Sequence, residues 1–310
     1  VVLYYFYMLT RYVRENLVWI DCVSPTPAEV RGLMHEFGID PLIAEELLLP
    51  SYKPKVEKRG DVIYVILHFP IMRSMHQTPE QEIDFLIGKN FLITTRYENV
   101  DPLHSFAKAF EVAGVLGTDT ATSHGGHLFI SMVRNLYQAL ENGCSNVHRR
   151  LQDIEGHIFS GDERRMVAEL SKVGRTIHDF KQSLAPHEEM LKSFEPVGTR
   201  MFGSEFSYHL RNLEGAYERI RRTLLNLHDS LTELRETNNS LLSTKQNEIM
   251  KTFTVLTFFF LPLSFIAGLF GMNAQHMPII GNQYDFWIVS GGMAVVACAC
   301  FAYFKYKDWL

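Results

Sequence analysis

The sequence predicts an α+β protein: an N-terminal α/β sheet domain with a long helical hairpin and a stalk helix, then two C-terminal transmembrane helices. Three observations carry this. β-Branched and aromatic runs crowd the first third of the 310 residues. An apolar repeat with alternating steps of four and three extends over residues 206–234. Near the C-terminus, Thr252 to Phe270 and Phe286 to Phe304 each hold 19 residues without a charge.

The elements follow in chain order. In residues 1–120, Val62-Ile63-Tyr64-Val65-Ile66-Leu67 and Asn90-Phe91-Leu92-Ile93-Thr94-Thr95 have strand composition. Glu82 to Gly88 leads back to Phe91 as a hairpin turning at Lys89-Asn90. Thr26-Pro27-Ala28-Glu29 reads as a helix start, with a capping hydroxyl and a proline in the first turn. Residues 121–202 form the helical hairpin. Leu128, Met132, Leu136, Leu140, Val147, Leu151, Ile154 and Ile158 recur at helical spacing, and Ser160-Gly161-Asp162-Glu163 interrupts them. A second helix continues through Met166, Leu170, Val173, Ile177, Phe180 and Leu184, until Pro186 bends or ends it. The stalk helix covers 203–251. Its repeat (Phe206, Leu210, Leu213, Tyr217, Ile220, Leu224, Leu227, Leu231, Leu234) indicates coiled-coil-like packing on neighbouring helices, and its length suits a stalk packed against copies of itself.

Residues 252–270 and 286–304 are each long enough to cross a hydrocarbon core of about 30 Å. Between them lies the loop 271–285, and 305–310 form a short tail. Lys245 and Lys251 precede the first span, Lys305 and Lys307 follow the second, and the loop has neither Lys nor Arg. The positive-inside rule places both termini and the N-terminal domain in the cytoplasm, with the loop outside. On the first span Asn247, Met250, Thr254, Thr257, Leu261, Ser264 and Gly268 share one face, with Phe253, Phe258, Phe259 and Phe260 on the other. A polar-and-small stripe of this kind must be sheltered from lipid, either by tight helix packing or by facing a pore. Two helices per chain cannot enclose an aqueous path, so a pore requires self-association.

Composition excludes several classes. The net charge of -5 comes with no basic stripe, so nucleic acid is not expected as a partner. Cys22, Cys144, Cys298 and Cys300 have neither disulfide nor zinc spacing. There is no Gly-rich phosphate loop, no nucleophile elbow and no H-E-x-x-H pair, so no enzymatic activity is expected. His124-Gly125-Gly126-His127 has metal-ligand residue types but no further ligand nearby in sequence. It reads as a flexible loop before the first hairpin helix.

Gly271-Met272-Asn273, followed by Met277-Pro278 and a second span ending in Trp309-Leu310, resembles the CorA magnesium-channel family. The similarity extends upstream through Asn247-Glu248-Ile249-Met250-Lys251, Leu261-Pro262-Leu263 and Ile266-Ala267-Gly268. It reaches Trp19-Ile20-Asp21, Pro54-Lys55-Val56-Glu57 and Asp61-Val62-Ile63-Tyr64 near the N-terminus. The resemblance implies a homopentameric funnel in the lipid bilayer, with one central pore for divalent metal ions, Mg²⁺ foremost. Gly271, Met272 and Asn273 would then form the outer selectivity filter, with Asn273 amide oxygens facing hydrated Mg²⁺, an ion that dehydrates reluctantly. Asn247 matches a polar ring at the cytoplasmic end, while Met250 and Leu261 match apolar constrictions that close by dewetting.

Departures from the family pattern qualify the ion and its regulation. The outer loop carries no carboxylate before Asp285, and His276 and Met277 introduce softer donors suited to Zn²⁺, Co²⁺ or Ni²⁺. Asn212 stands about where the family's cytoplasmic regulatory metal sites would place an acid. A proton-coupled Zn²⁺ transporter and a coiled-coil membrane sensor without ion flux are the alternatives.

Overall fold

The structure, a computed structural model, describes residues 9–14, 16–51, 53–70, 80–98, 100–116, 124–272, 279, 281, 283–307 and 309. The chain divides into two compact units, residues 1–235 and 236–310.

The first unit is built on a six-stranded sheet. Its strands are β1 (Leu9–Arg14), β2 (Leu17–Val23), β3 (Lys55–Arg59), β4 (Val62–Pro70), β5 (Glu80–Ile87) and β6 (Phe91–Arg96). They lie in the order β1-β2-β6-β5-β4-β3. Among the described strands only β2 and β6 pair in parallel, bringing Trp19 opposite Leu92 and Asp21 opposite Thr94. The β5–β6 pair is the expected hairpin through Lys89-Asn90. Every residue of β4 is buried, which accounts for its unbroken apolar run: both faces of this strand are covered.

Two helices, α1 (Pro27–Phe37) and α2 (Pro41–Glu46), cover one face through a core that includes Val30, Leu33, Ile43, Tyr64, Ile66 and Ile93. The sequence fixes where α1 begins. Thr26 accepts from the Glu29 N–H while Glu29 accepts from the Thr26 N–H, a complete capping box ahead of Pro27. The opposite face is covered by α3 (Asp101–Leu116), which packs Phe106 and Phe110 edge-on against Trp19, and by the helices that follow.

α4 (Gly125–Phe159) and α5 (Glu163–Leu184) form the expected hairpin about Ser160–Asp162, tied by an Arg150–Glu169 ion pair. Pro186 ends the second arm, and α6 (His187–Phe202) starts immediately after it. Residues 124–127, expected as a loop, are instead the cap and first turn of α4. The His124 ring accepts from the His127 N–H and so supplies the acceptor that the helix start lacks.

α7 (Ser204–Phe270) is one 67-residue helix, running without a break through the expected boundary at 251. Its apolar repeat packs on neighbouring helices, as expected, and here those helices belong to the same chain. Phe206, Leu210, Leu213, Ile220, Leu224 and Leu231 are buried within the single chain. Phe206 meets Phe194 of α6, Tyr217 meets Tyr137 of α4, and Arg235 donates to the Leu170 carbonyl of α5. The chain's own hairpin therefore fills the seam that a 3.5-residue period creates, and copies of the helix are not needed there.

Between the sheet and these helices lies a buried polar relay. His187 of α6 and Tyr137 of α4 are both buried, with the Tyr137 hydroxyl 2.9 Å from His187 Nδ1. His187 Nε2 lies 2.9 Å from the His68 carbonyl of β4. A carbonyl only accepts, so Nε2 carries the proton and Tyr137 donates to Nδ1. Burial holds His187 down at about 4, neutral at ordinary pH.

Candidate functional site: the C-terminal helix pair

The second unit consists of the C-terminal part of α7 and of α8 (Asp285–Tyr306). Both helices are long and apolar enough to cross a membrane, and their apolar windows are not buried inside the chain. That exposure costs a great deal in water and little in hydrocarbon, which is the physical reason to place these helices in lipid.

The two helices meet along one face of α7. Val255 is buried there, and the rings of Phe258 and Phe304 lie 6.2 Å apart, edge to face. Pro262 sits on this face. It has no N–H, so the Phe258 carbonyl four residues earlier loses its intrahelical partner. Cys300 of α8 brings its Sγ to 4.0 Å from that oxygen. A membrane helix tolerates proline when a neighbouring helix takes up the freed carbonyl in this way. Neither Pro262 nor Cys300 could be linked from sequence, since the pairing depends on the register between the helices.

The stripe lies on the other side. With 100° per residue, Met250, Thr257, Leu261, Ser264 and Gly268 project away from the Val255 and Pro262 face. Each is exposed, Met250 at 59% and Leu261 at 64%. Asn247 is exposed one turn further back. Thr254 stands half-buried beside Val255, at the edge of the stripe. Phe253, 61% exposed, occupies its opposite flank. From residue 243 to 250 every residue of the helix is exposed.

The threonines are oriented by their own helix. Thr254 Oγ1 donates to the Met250 carbonyl and Thr257 Oγ1 to the Phe253 carbonyl, each at 2.8 Å. The single hydroxyl proton is thereby committed to the backbone, and the remaining oxygen lone pairs act only as acceptors. A neutral acceptor surface suits the hydration water of a cation and holds no fixed charge that would bind it tightly.

Gly271 ends α7, donating to the Ala267 carbonyl at 2.9 Å, and Met272 follows at 63% exposure. Asn273, with His276 and Met277, lies outside the described residues. α8 starts at Asp285, whose carboxylate accepts from the Phe286 N–H at 2.6 Å and from the Gly281 N–H at 3.4 Å. Among the described residues no group of three or more His, Cys, Asp or Glu is placed to hold a metal ion.

Comparison with known proteins agrees with this architecture. The family model described as CorA-like Mg²⁺ transporter protein matches residues 14–306. A cobalt/magnesium transport protein CorA of Thermotoga maritima is 24% identical, covering 96% of this chain and 87% of the relative. The zinc transport protein ZntB of Photorhabdus laumondii is 22% identical, covering 94% of this chain and 85% of the relative. Among solved structures, the complete CorA magnesium transporter of Methanocaldococcus jannaschii superposes with a TM-score of 0.82 at 21% identity. That match covers 95% of this chain and 92% of the other. With the full-length fold reproduced and the family model spanning nearly the whole sequence, the chain belongs to the family of CorA-like Mg²⁺ transporter proteins, membrane transporters of divalent metal cations.

Proposed function

We propose that five copies of this chain surround one pore lined by the stripe from Asn247 to Gly268, and that the pore carries Mg²⁺, with Co²⁺ and Ni²⁺, into the cytoplasm. The observation that carries the reading is the stripe itself: a row of polar and small residues on a membrane helix, turned away from α8, the helix that packs against it. Left facing lipid, such a row is unfavourable. Around a symmetry axis it lines water.

In this reading residues 252–270 and 286–304 cross the bilayer, both termini are cytoplasmic, and Asn273 places a ring of amide oxygens at the outer mouth. Five neutral carbonyl oxygens accept hydrogen bonds from the waters of a hydrated ion without stripping them. Met250 and Leu261 are the apolar rings that close the pore by dewetting, and Thr257 and Ser264 supply acceptors between and above them. The membrane potential supplies the driving force, about 4.6 kcal/mol for a divalent ion at 100 mV, twice the single-charge value. No nucleotide is consumed.

The zinc-transporting relative favours one second reading, proton-coupled Zn²⁺ movement. The two readings separate in a liposome flux assay of the full chain with Mg²⁺, Co²⁺, Ni²⁺ and Zn²⁺. Uptake of Mg²⁺ that follows the membrane potential, and that falls at least about tenfold in Asn273→Ala, supports the channel. Zn²⁺ uptake that follows a pH gradient and persists without a potential supports the alternative. Absence of flux for all four ions overturns both, and leaves a membrane sensor.

A further inference from the structure

We propose that His124, His127 and His209 form an acid-responsive latch that fastens the first turn of α4 to the β5–β6 turn and to α7. Three imidazoles from two helices stand in contact. The rings of His124 and His127 stack at 4.0 Å, and His209 of α7 meets His127 edge-on at 4.6 Å. Phe202 of α6 stacks on the other side of His124 at 4.5 Å with its plane only 6° away, and Phe206 of α7 closes the group.

This cluster sits on a tight joint. The Gly125 N–H donates to the Lys89 carbonyl in the β5–β6 turn at 2.9 Å. A Cβ at Gly125 would overlap the carbonyl oxygens of Gly88 and Phe91, and one at Gly126 would press on the rings of Phe202 and Phe206. The glycines let backbone and rings approach this closely, and His124 then caps the helix.

The cap is the titratable part. His124 Nδ1 accepts from the His127 N–H at 3.3 Å, which it does only while that nitrogen is unprotonated. A proton there removes the acceptor and places a positive charge at the positive end of the α4 dipole. Burial, and then the neighbouring His127 and His209, push His124 down to about 4. His127 is lowered by burial and by His209, with Glu205 of α7 offsetting part of that effect. With Tyr208 of α7, whose ring meets that of His209 edge-on at 5.7 Å, these are the charged and titratable groups at the joint from α4 and α7 among the described residues. α6 contributes the apolar Phe202, and the β5–β6 turn contributes backbone oxygens beside Lys89. Among the described residues no group of three or more His, Cys, Asp or Glu is placed to hold a metal ion, these three histidines included.

The sign follows from linkage. A histidine held neutral in the folded state stabilises the closed joint fully above about pH 6.5. That contribution is lost as the pH falls from there towards the depressed value, because the opened state takes up the proton first. The joint therefore opens in acid. The test is amide hydrogen exchange of residues 127–130 in the full chain in lipid nanodiscs, corrected for intrinsic rates, at pH 7.5 and pH 5.0. Wild type is expected to lose protection by at least about tenfold at pH 5.0. His124→Asn, which caps without titrating, is expected to lose clearly less protection at pH 5.0 than wild type, the remaining loss coming from His127. Histidine NMR on the wild-type chain gives an independent reading, with His124 titrating more than about one unit below a free imidazole. Protection that changes less than about twofold in wild type, an equal acid loss in His124→Asn, or a His124 titration near 6.5 would overturn the latch.

Discussion

Replacing Tyr137 by Phe removes one oxygen atom from the relay between the helices and the sheet, and the consequence can be worked out from geometry. The hydroxyl is the donor to His187 Nδ1 at 2.9 Å, while the other ring nitrogen is fixed by the His68 carbonyl. Both side chains are buried, so water cannot replace the lost donor. A buried acceptor left without its partner costs about 1–3 kcal/mol. In a unit of some 235 residues each kcal/mol lowers Tm by roughly 2–4 °C, so a loss of about 4–8 °C is expected near the middle of that range. Differential scanning calorimetry of the full chain at pH 7.5 measures it. The acid side gives a second readout. His187 is held at about 4 by burial, so its contribution is complete above about pH 6.5 and disappears between there and pH 4. That slope, on the order of 3 kcal/mol, should persist in Tyr137→Phe, since burial causes it, and vanish in His187→Gln. A Tyr137→Phe protein melting within about 1 °C of wild type at pH 7.5 would mean that Nδ1 has another donor, and would refute the relay.

Two further substitutions probe the packing and electrostatics of the first unit. Gly125→Ala pushes a methyl group into two carbonyl oxygens and is expected to destabilise by about 1–3 kcal/mol, whereas Gly156→Ala, at an open and exposed position of the same helix, should stabilise by about 0.5–1 kcal/mol; calorimetry of the pair checks both signs. Asp84 is fully buried, accepts from the Tyr97 hydroxyl at 3.3 Å, and is raised well above the usual carboxylate range by burial and then by Glu82. Its native form binds a proton that the unfolded chain releases from about pH 4 upward, so wild-type stability falls as the pH rises towards the native value. Asp84→Asn should therefore gain on wild type as the pH rises above about 4 in denaturant titrations, and a pH-independent difference would contradict the assignment.

Much of the fold is legible in the sequence because the signals are local. The capping box at Thr26, the hairpin turn at Lys89-Asn90, the break at Ser160–Asp162 and the proline at 186 each act within a few residues. The stripe from Asn247 to Gly268 was legible for the same reason, since helical periodicity alone places those residues together. What failed to show was non-local. His124 and His127 looked like a loop because nothing nearby in sequence reveals that a histidine ring can cap a helix whose start is pressed into the β5–β6 turn. The stalk repeat announced packing on neighbouring helices but not which ones, because periodicity reports that a face is apolar and is silent about what covers it.

The sequence by itself determined the element types, the two membrane-crossing helices and the polar face of the first, because each follows from residue spacing along one helix or strand. Tertiary structure decided which surfaces remain free. It filled the α7 repeat with α4, α5 and α6, set Cys300 against the carbonyl released by Pro262, and left the stripe uncovered. The physical reason is that burial depends on the register between elements distant in sequence, and no single element encodes that register.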